Sequence, residues 1–253
     1  MSDDAVFPTW PPGLWRRIVL TPEPGAISGA LEDDVHRFHL RLEHSGGIIT
    51  GVSARSVRIP MTGCPGASTF IAERLTGRTL AQVAAEDSRA HCTHLYDLAV
   101  LCATHAGDWQ ERERPLRYDF KVADRISERT VATAELDGRQ VLLWHLEGTT
   151  IVGPDEWAGR ELKALSRWKD ELSPEVAEWA GLLRRAILVS GVRSFFDASE
   201  PASTRTHRMG ACFNYQLPVA ETSYRHPNWQ RDWSMSDEAP LGDYDPARAF
   251  DPA

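Results

Sequence analysis

The chain has 253 residues, 42% hydrophobic and 25% charged, the mixture of a soluble globular protein able to bury a core without disulfides or a structural metal. Its net charge of −8 disfavours broad binding to nucleic-acid backbones, which need a basic stripe. No apolar run nears the roughly 18 residues that cross a bilayer, and "MSDDAVFPTWPPG" lacks the basic and apolar regions of a secretion signal, so the expected location is cytoplasmic.

In chain order, residues 1–13 read as an extended arm held open by Pro8, Pro11 and Pro12. "LWRRIVL" (14–20) is the first expected strand. Residues 35–43 alternate, with His36, Phe38, Leu40 and Leu42 on one face and Val35, Arg37, His39, Arg41 and Glu43 on the other. "SGG" (45–47) turns that strand into a second β run at 48–59. "TGCPGAS" (62–68) breaks the strand and enters a helix, with Thr62 or Ser68 as cap. Short helices are expected at 67–75 and 79–86, then a stronger one at 92–106, capped near Thr93 or Asp87 and ended by Gly107.

After a polar loop at 108–115, strands are expected at 116–126, 129–136 and 139–148, with "LDGR" as a hairpin turn and "TTIVG" as a short addition. The pattern turns helical from 157. Ser173, Pro174 and Glu175 mark a helix start and Gly191 its stop. "RMGACFNYQLP" (208–218) is apolar and of undefined type. Residues 218–253 read as a loosely ordered acidic tail. Hairpin signals outnumber βαβ spacing. The expected fold is therefore α+β: one domain over 14–217, an antiparallel sheet or partial barrel built from hairpins and packed with several helices.

The densest reactive stretch is "AHCTHLYDLAV" (90–100). Helical spacing puts His91, His94, Asp97 and His105 down one flank. His94 and Asp97 make a candidate imidazole–carboxylate pair, which is either a general base or a helix-terminal pair that anchors a loop. Cys92, Tyr96 and Cys102 form another stripe, read as core. His36 sits on the apolar strand face beside Glu32 and Asp33, which are either acid/base groups or a polar strand start. Cys64 in "GCPG" precedes a helix, where a thiol pKa can fall, and a Cys64–His94 dyad is open. Arg58 and Arg185 are candidate anion-binding groups, or else partners of a buried carboxylate such as Asp97. Trp144 is the candidate aromatic contact, although nine tryptophans are read first as packing and surface anchors.

The four cysteines form no CxxC pair and are expected to be thiols. Cys92, His94, His36 and Cys64 suit zinc by type but match no usual zinc spacing, so neither metal nor cofactor is expected. GxSxG, P-loop and GxGxxG patterns are absent.

The blocks "LEDDVHRFHLRLEHSGGIIT", "RIPMTGCPGA", "HCTHLYDLA", "LDGRQVLLW", "LLRRAILVSGVR" and "RMGACFNYQ" resemble, in order, the bacterial family catalogued as domain of unknown function 2889. The resemblance runs from about residue 14 to 217 and points to His36, Arg58, Cys64, Cys92, His94, Asp97 and Arg185, with no role assigned to any. It implies a place in the catabolism of aromatic and acyl compounds and carbon–carbon lyase chemistry. "MTG" before Cys64 and the tail after 217 look particular to this chain.

The leading expectation is a cofactor-independent lyase acting on a lignin-derived aromatic that carries a CH2OH group and releasing formaldehyde. His94, held by Asp97, would be the base and His36 the acid or second base. Arg58 or Arg185 would stabilise a phenoxide. The alternatives are a non-catalytic binding module for aromatic or hydrophobic ligands and a zinc-dependent hydrolase. A small aromatic substrate is the expected partner, with no nucleic acid or membrane, and a homo-oligomer is left open.

Overall fold

A computed structural model describes residues 10–112, 114–194, 200–226 and 230–251. The first nine residues of the expected N-terminal arm lie outside this range. Eight strands form one open antiparallel sheet: β1 (Gly13–Glu23), β2 (Ala26–Asp33), β3 (Arg37–Ser45), β4 (Ile48–Arg58), β5 (Leu116–Ala123), β6 (Arg129–Leu136), β7 (Arg139–Glu147) and β8 (Thr150–Gly153). Their spatial order is β4-β3-β2-β1-β5-β6-β7-β8. Two four-stranded meanders thus join edge to edge through the β1–β5 pair, and the sheet does not close into a barrel.

Local chemistry sets the hairpins. Gly46 and Gly47 both take positive φ between β3 and β4, and Asp137-Gly138 does the same between β6 and β7. These are the left-handed conformations that a two-residue hairpin turn demands. β2 was not legible in sequence because every one of its residues is buried, so it carries no polar alternation.

The helices are α1 (Gly66–Leu75), α2 (Leu80–Val83), α3 (Thr93–Thr104), α4 (Leu165–Trp168), α5 (Pro174–Ser190) and α6 (Val219–Thr222). Ser173 caps α5 by accepting from the Val176 amide at 3.4 Å. α3 begins after Cys92, without a side-chain cap, rather than after Thr93 or Asp87.

α3 and α5 cover the sheet face that carries Ile18, Leu31, Phe38 and Leu40. Close approach is possible because residue 29 lacks a side chain. A Cβ on Gly29 would lie 2.8 Å from Cys102 Sγ and 2.9 Å from Leu98 Cδ1. Trp144 is fully buried against Trp157 and Trp168, with ring centroids 5.6 and 6.3 Å away, in the core of the second meander.

The opposite face of the first meander is covered by residues 230–251, which therefore do not form the expected loose tail. The amide of Leu241 donates to Glu32 Oε2 at 2.8 Å, and that of Arg231 to the Asp34 carbonyl at 2.7 Å. His39, on the strand face with Arg37, Arg41 and Glu43, is buried beneath Tyr244 and bonds the Ala249 carbonyl at 3.3 Å.

Where α3 ends, His105 Nδ1 meets Asp108 at 2.7 Å and its Nε2 meets Glu178 of α5 at 3.2 Å. Tyr118 donates to the same Glu178 at 2.6 Å. Burial opposes a charge on His105, but Glu178 and Asp108 outweigh it and raise its pKa above the usual 6.5. A raised folded-state value means that the stabilisation is complete below the unfolded value and lost as pH rises through the folded one. Relative to His105→Gln, the wild-type urea midpoint is therefore expected to fall as pH rises above 6.5. Parallel pH profiles for the two proteins would show that this cluster adds no linked stability.

Candidate functional site

The site starts from a turn. Asp33 ends β2, and its Oδ1 accepts from the amides of Val35 at 2.8 Å and His36 at 2.7 Å. This fold-back brings the His36 ring round to the same oxygen, with Nδ1 3.1 Å away. The antiparallel register sets Arg16 of β1 directly opposite Asp33. Its Nε and Nη2 donate to Asp33 Oδ2 at 2.9 and 2.5 Å. The same Nη2 lies 3.1 Å from Nε2 of His94, in the first turn of α3. His94 stacks on His36, with ring centroids 3.8 Å apart. All four side chains are buried.

Proton positions follow from donor chemistry. A guanidinium only donates, so His94 Nε2 is the acceptor and its proton sits on Nδ1. Burial resists ionisation of Asp33, but Arg16, His36 and His94 overcome it and hold the carboxyl well below the usual range. An ionised Asp33 only accepts, so His36 carries its proton on Nδ1 and its lone pair on Nε2. Burial lowers the pKa of His36, which Asp33 opposes and Arg16 and Arg58 reinforce. Burial, His36 and Arg16 push His94 well below 6.5. At neutral pH the pair presents one acceptor, His36 Nε2, and one donor, His94 Nδ1.

Both histidines line a cavity of about 210 Å³. Phe38, Met61, Leu188 and Phe213 supply apolar wall, and Arg185, Arg208 and Arg225 supply charge. Cys64, Cys92 and Cys212 also face it.

The expected residues fare unevenly. His36 and His94 come together, but Asp97 does not hold His94. Its carboxylate pairs with Arg185 Nε at 2.7 Å and Nη2 at 3.3 Å, fixing that arginine at the cavity wall. The carboxylate that orients an imidazole is Asp33. Arg58 is not a cavity-lining group. It donates to Glu32 Oε1 at 3.0 Å and to the Asp34 carbonyl at 2.8 Å, clamping the β2–β3 turn from β4. Glu32, bonded also to Leu241, is likewise structural. Trp144, in the core, lines no part of the cavity.

Cys64 lines the cavity, but the expected lowering of its pKa is reversed. Burial and then the neighbouring Cys92 and Cys212 raise it well above the usual thiol range. Pro65, not a side-chain acceptor, occupies the N-cap of α1. Burial pushes Cys92 up to about 12. Native protein at pH 8 is therefore expected to react with iodoacetamide at least ~10-fold more slowly than urea-unfolded protein. Intact-mass spectrometry reads the rates, and rapid native labelling of Cys64 would restore it as a nucleophile.

Arg16 was the main residue missed. A signal existed, because it shares a strand face with Leu14, Ile18 and Leu20, all fully or nearly fully buried. Arg208, Asn214 and Arg225 had no local signal and reach the cavity only through the path of residues 200–226.

Among the described residues, no helix is long and apolar enough to cross a membrane. No family model matches the chain, and no curated protein matches it. Among solved structures, the chain is similar to a viral glycoprotein at 9% identity over 73% of its own length, with a TM-score of 0.24. It covers 56% of that protein, and a similarity of that size does not bear on fold or function.

Proposed function

We propose that the cavity is the active site of a carbon–carbon lyase that uses His36, oriented by Asp33, as its general base. The observation that carries this reading is the Asp33–His36–His94–Arg16 cluster on a largely apolar cavity. A neutral imidazole with one nitrogen tied to a carboxylate has its other nitrogen aimed and basic. Nδ1 is the His36 nitrogen bonded to Asp33, at 3.1 Å, which leaves Nε2 to meet the substrate.

The substrate class is a lignin-derived aromatic in which the carbon carrying a CH2OH group adjoins a second carbon that bears an aryl ether. His36 takes the hydroxyl proton, and the freed oxygen pair becomes the C=O of formaldehyde. The carbon–carbon bond breaks, and its electrons form the alkene. The adjacent C–O bond breaks onto the aryl oxygen, which recovers the proton from His36. Atoms and charge balance without a redox partner. His94 Nδ1–H and Arg185 stabilise the oxygen as it becomes phenoxide.

The test is formaldehyde release from phenolic dimers that carry this CH2OH group. Formaldehyde and alkene in equal amounts support the reading. Intact substrate after prolonged incubation across the panel rejects it.

A zinc-dependent hydrolase is the second reading. One ligand atom each from Asp33, His36 and His94 lies within 4.8 Å of the others. Against it, Arg16 already lies between Asp33 and His94, so a divalent cation must displace a buried guanidinium. One equivalent of zinc in purified wild type, lost in His36→Gln, would favour the hydrolase.

A further inference from the structure

The turn that carries the proposed base is held from outside the cavity as well as from within. Asp34 and Val35 link Asp33 to His36, and the Asp33 amide donates to the His36 carbonyl at 2.8 Å. Tight hairpin links of this length favour positive φ, because that conformation matches the twist of the flanking strands. Neither Asp34 nor Val35 takes positive φ. Both are nonetheless fully buried. The shape of the turn is therefore set by what it bonds to rather than by its own backbone preference.

Asp33 serves the cavity side, where it accepts from the Val35 and His36 amides and meets the His36 ring. Asp34 is bonded elsewhere. Its Oδ2 accepts from Arg193 Nη1, and its Oδ1 accepts from the Trp233 amide at 3.2 Å. Its carbonyl accepts from the Arg231 amide at 2.7 Å and from Arg58 Nη1 at 2.8 Å.

Arg193 lies just beyond α5, the helix that sets Arg185, Leu188 and Val189 on the cavity wall. The other edges of its guanidinium reach two further carboxylates. Nε donates to Asp124 Oδ1 at 3.0 Å, one residue past β5, and Nη2 donates to Asp232 Oδ2 at 3.0 Å. Asp232 also accepts from the Ser234 amide at 3.1 Å and from its hydroxyl at 2.6 Å. The Gly13 amide, at the start of β1, donates to that same Ser234 oxygen at 3.2 Å. One planar, forked group thus ties the turn to the end of α5, to the end of β5 and to the segment that begins at residue 230.

We infer that Arg193 is a positioning residue for the base, and that Asp232 and Trp233 act with it through Asp34 to keep the His36 ring on Asp33. This rests on His36 being the base. The contact so protected is the longest one that Asp33 Oδ1 makes in the turn. His36 Nδ1 lies 3.1 Å away, whereas the Val35 and His36 amides lie at 2.8 and 2.7 Å. A turn that relaxes on its outer side loses the ring contact first, because hydrogen bonds weaken steeply with distance and misalignment. The imidazole then lacks the carboxylate that selects its tautomer, and Nε2 offers its lone pair only part of the time.

The ring reports this without turnover. Long-range proton–nitrogen correlation spectra of the full chain at neutral pH separate a protonated from an unprotonated ring nitrogen. The His36 signals are those lost in His36→Gln. Wild type is expected to show one nitrogen of each kind, with the proton on Nδ1. In Arg193→Gln the two signals should converge as the tautomers exchange. In formaldehyde release, kcat should fall by about 10–100-fold while KM changes less than about twofold, because the base is misplaced and the cavity wall is kept.

A lower urea midpoint with unmoved His36 signals would give Arg193 a structural role alone and overturn the inference. Should Arg193→Gln fail to fold, Asp232→Ala, at an exposed position, removes the arginine's tie to the C-terminal segment. It should move the His36 signals the same way by a smaller amount, and unmoved signals there overturn the inference equally. The two readings fail separately. His36 signals that respond to Arg193 in a chain releasing no formaldehyde sink only the lyase. Formaldehyde release with His36 signals indifferent to Arg193 sinks only the positioning role.

Discussion

Exchange of Arg16 for methionine is expected to cost about 3–5 kcal/mol of folding stability, because it leaves Asp33 buried and ionised without its counter-charge. Asp33 is fully buried and Arg16 is 2% exposed, so water cannot replace the lost partner. Against a typical total of about 5–15 kcal/mol, that loss removes much of the margin. A lower urea midpoint at unchanged slope would report it. A second variant separates charge from packing. Arg16→Met with Asp33→Leu removes the uncompensated charge but strands the Val35 and His36 amides that Asp33 accepts. The double variant should therefore recover only part of the loss. Full recovery would show that the turn bonds contribute little, and a negligible cost for Arg16→Met would remove the ion pair from the account of this fold.

The largest functional effect is expected at His36. His36→Gln keeps a polar group of similar reach but removes the titrating nitrogen, and turnover should fall by about 10²–10⁴-fold. Stability should change little, since the side chain holds no partner other than Asp33 and the stacked rings. The wild-type pH profile supplies the matching signature. Because the pKa of His36 is lowered, kcat/KM should stay level as pH falls past 6.5 and drop only further into acid, where the base becomes protonated. A profile that falls at or above 6.5, or a His36→Gln variant with wild-type turnover, would transfer the role of base elsewhere. His94→Gln is the control. It retains a donor but loses the stack, so a smaller fall is expected than at His36.

Much of the scaffold was legible because it is local. Alternation through 35–43 announced β3, with Phe38, Leu40 and Leu42 facing the core. The "SGG" and "LDGR" turns fell where glycine and aspartate take positive φ. Ser173 and Pro174 opened the long helix at the expected point. These features depend on sterics and hydrogen bonds between residues a few positions apart. The element lost was β2, whose burial on both faces erased the periodic signal.

The site was legible only as a set of residue types. His36 and His94 were both marked, yet their partners were misassigned. Helical spacing favoured His94 with Asp97 because they are three apart. In the fold, Arg185 arrives from α5 and takes the Asp97 carboxylate, while Arg16 arrives from β1 and faces His94. A guanidinium outcompetes a neutral imidazole for a carboxylate because it is always charged and fork-shaped. Nothing in residues 90–100 records which arginine will be near.

The chain therefore announces its antiparallel hairpins, its main helices and its reactive histidines through short-range geometry. Packing alone decides that Asp33 holds His36, that Cys64 stays a thiol, that Trp144 is core and that Arg208, Asn214 and Arg225 reach the cavity. Each of those outcomes turns on which charged or polar group comes within about 3 Å once distant segments meet. That separation is set by the whole sheet and the helices laid across it.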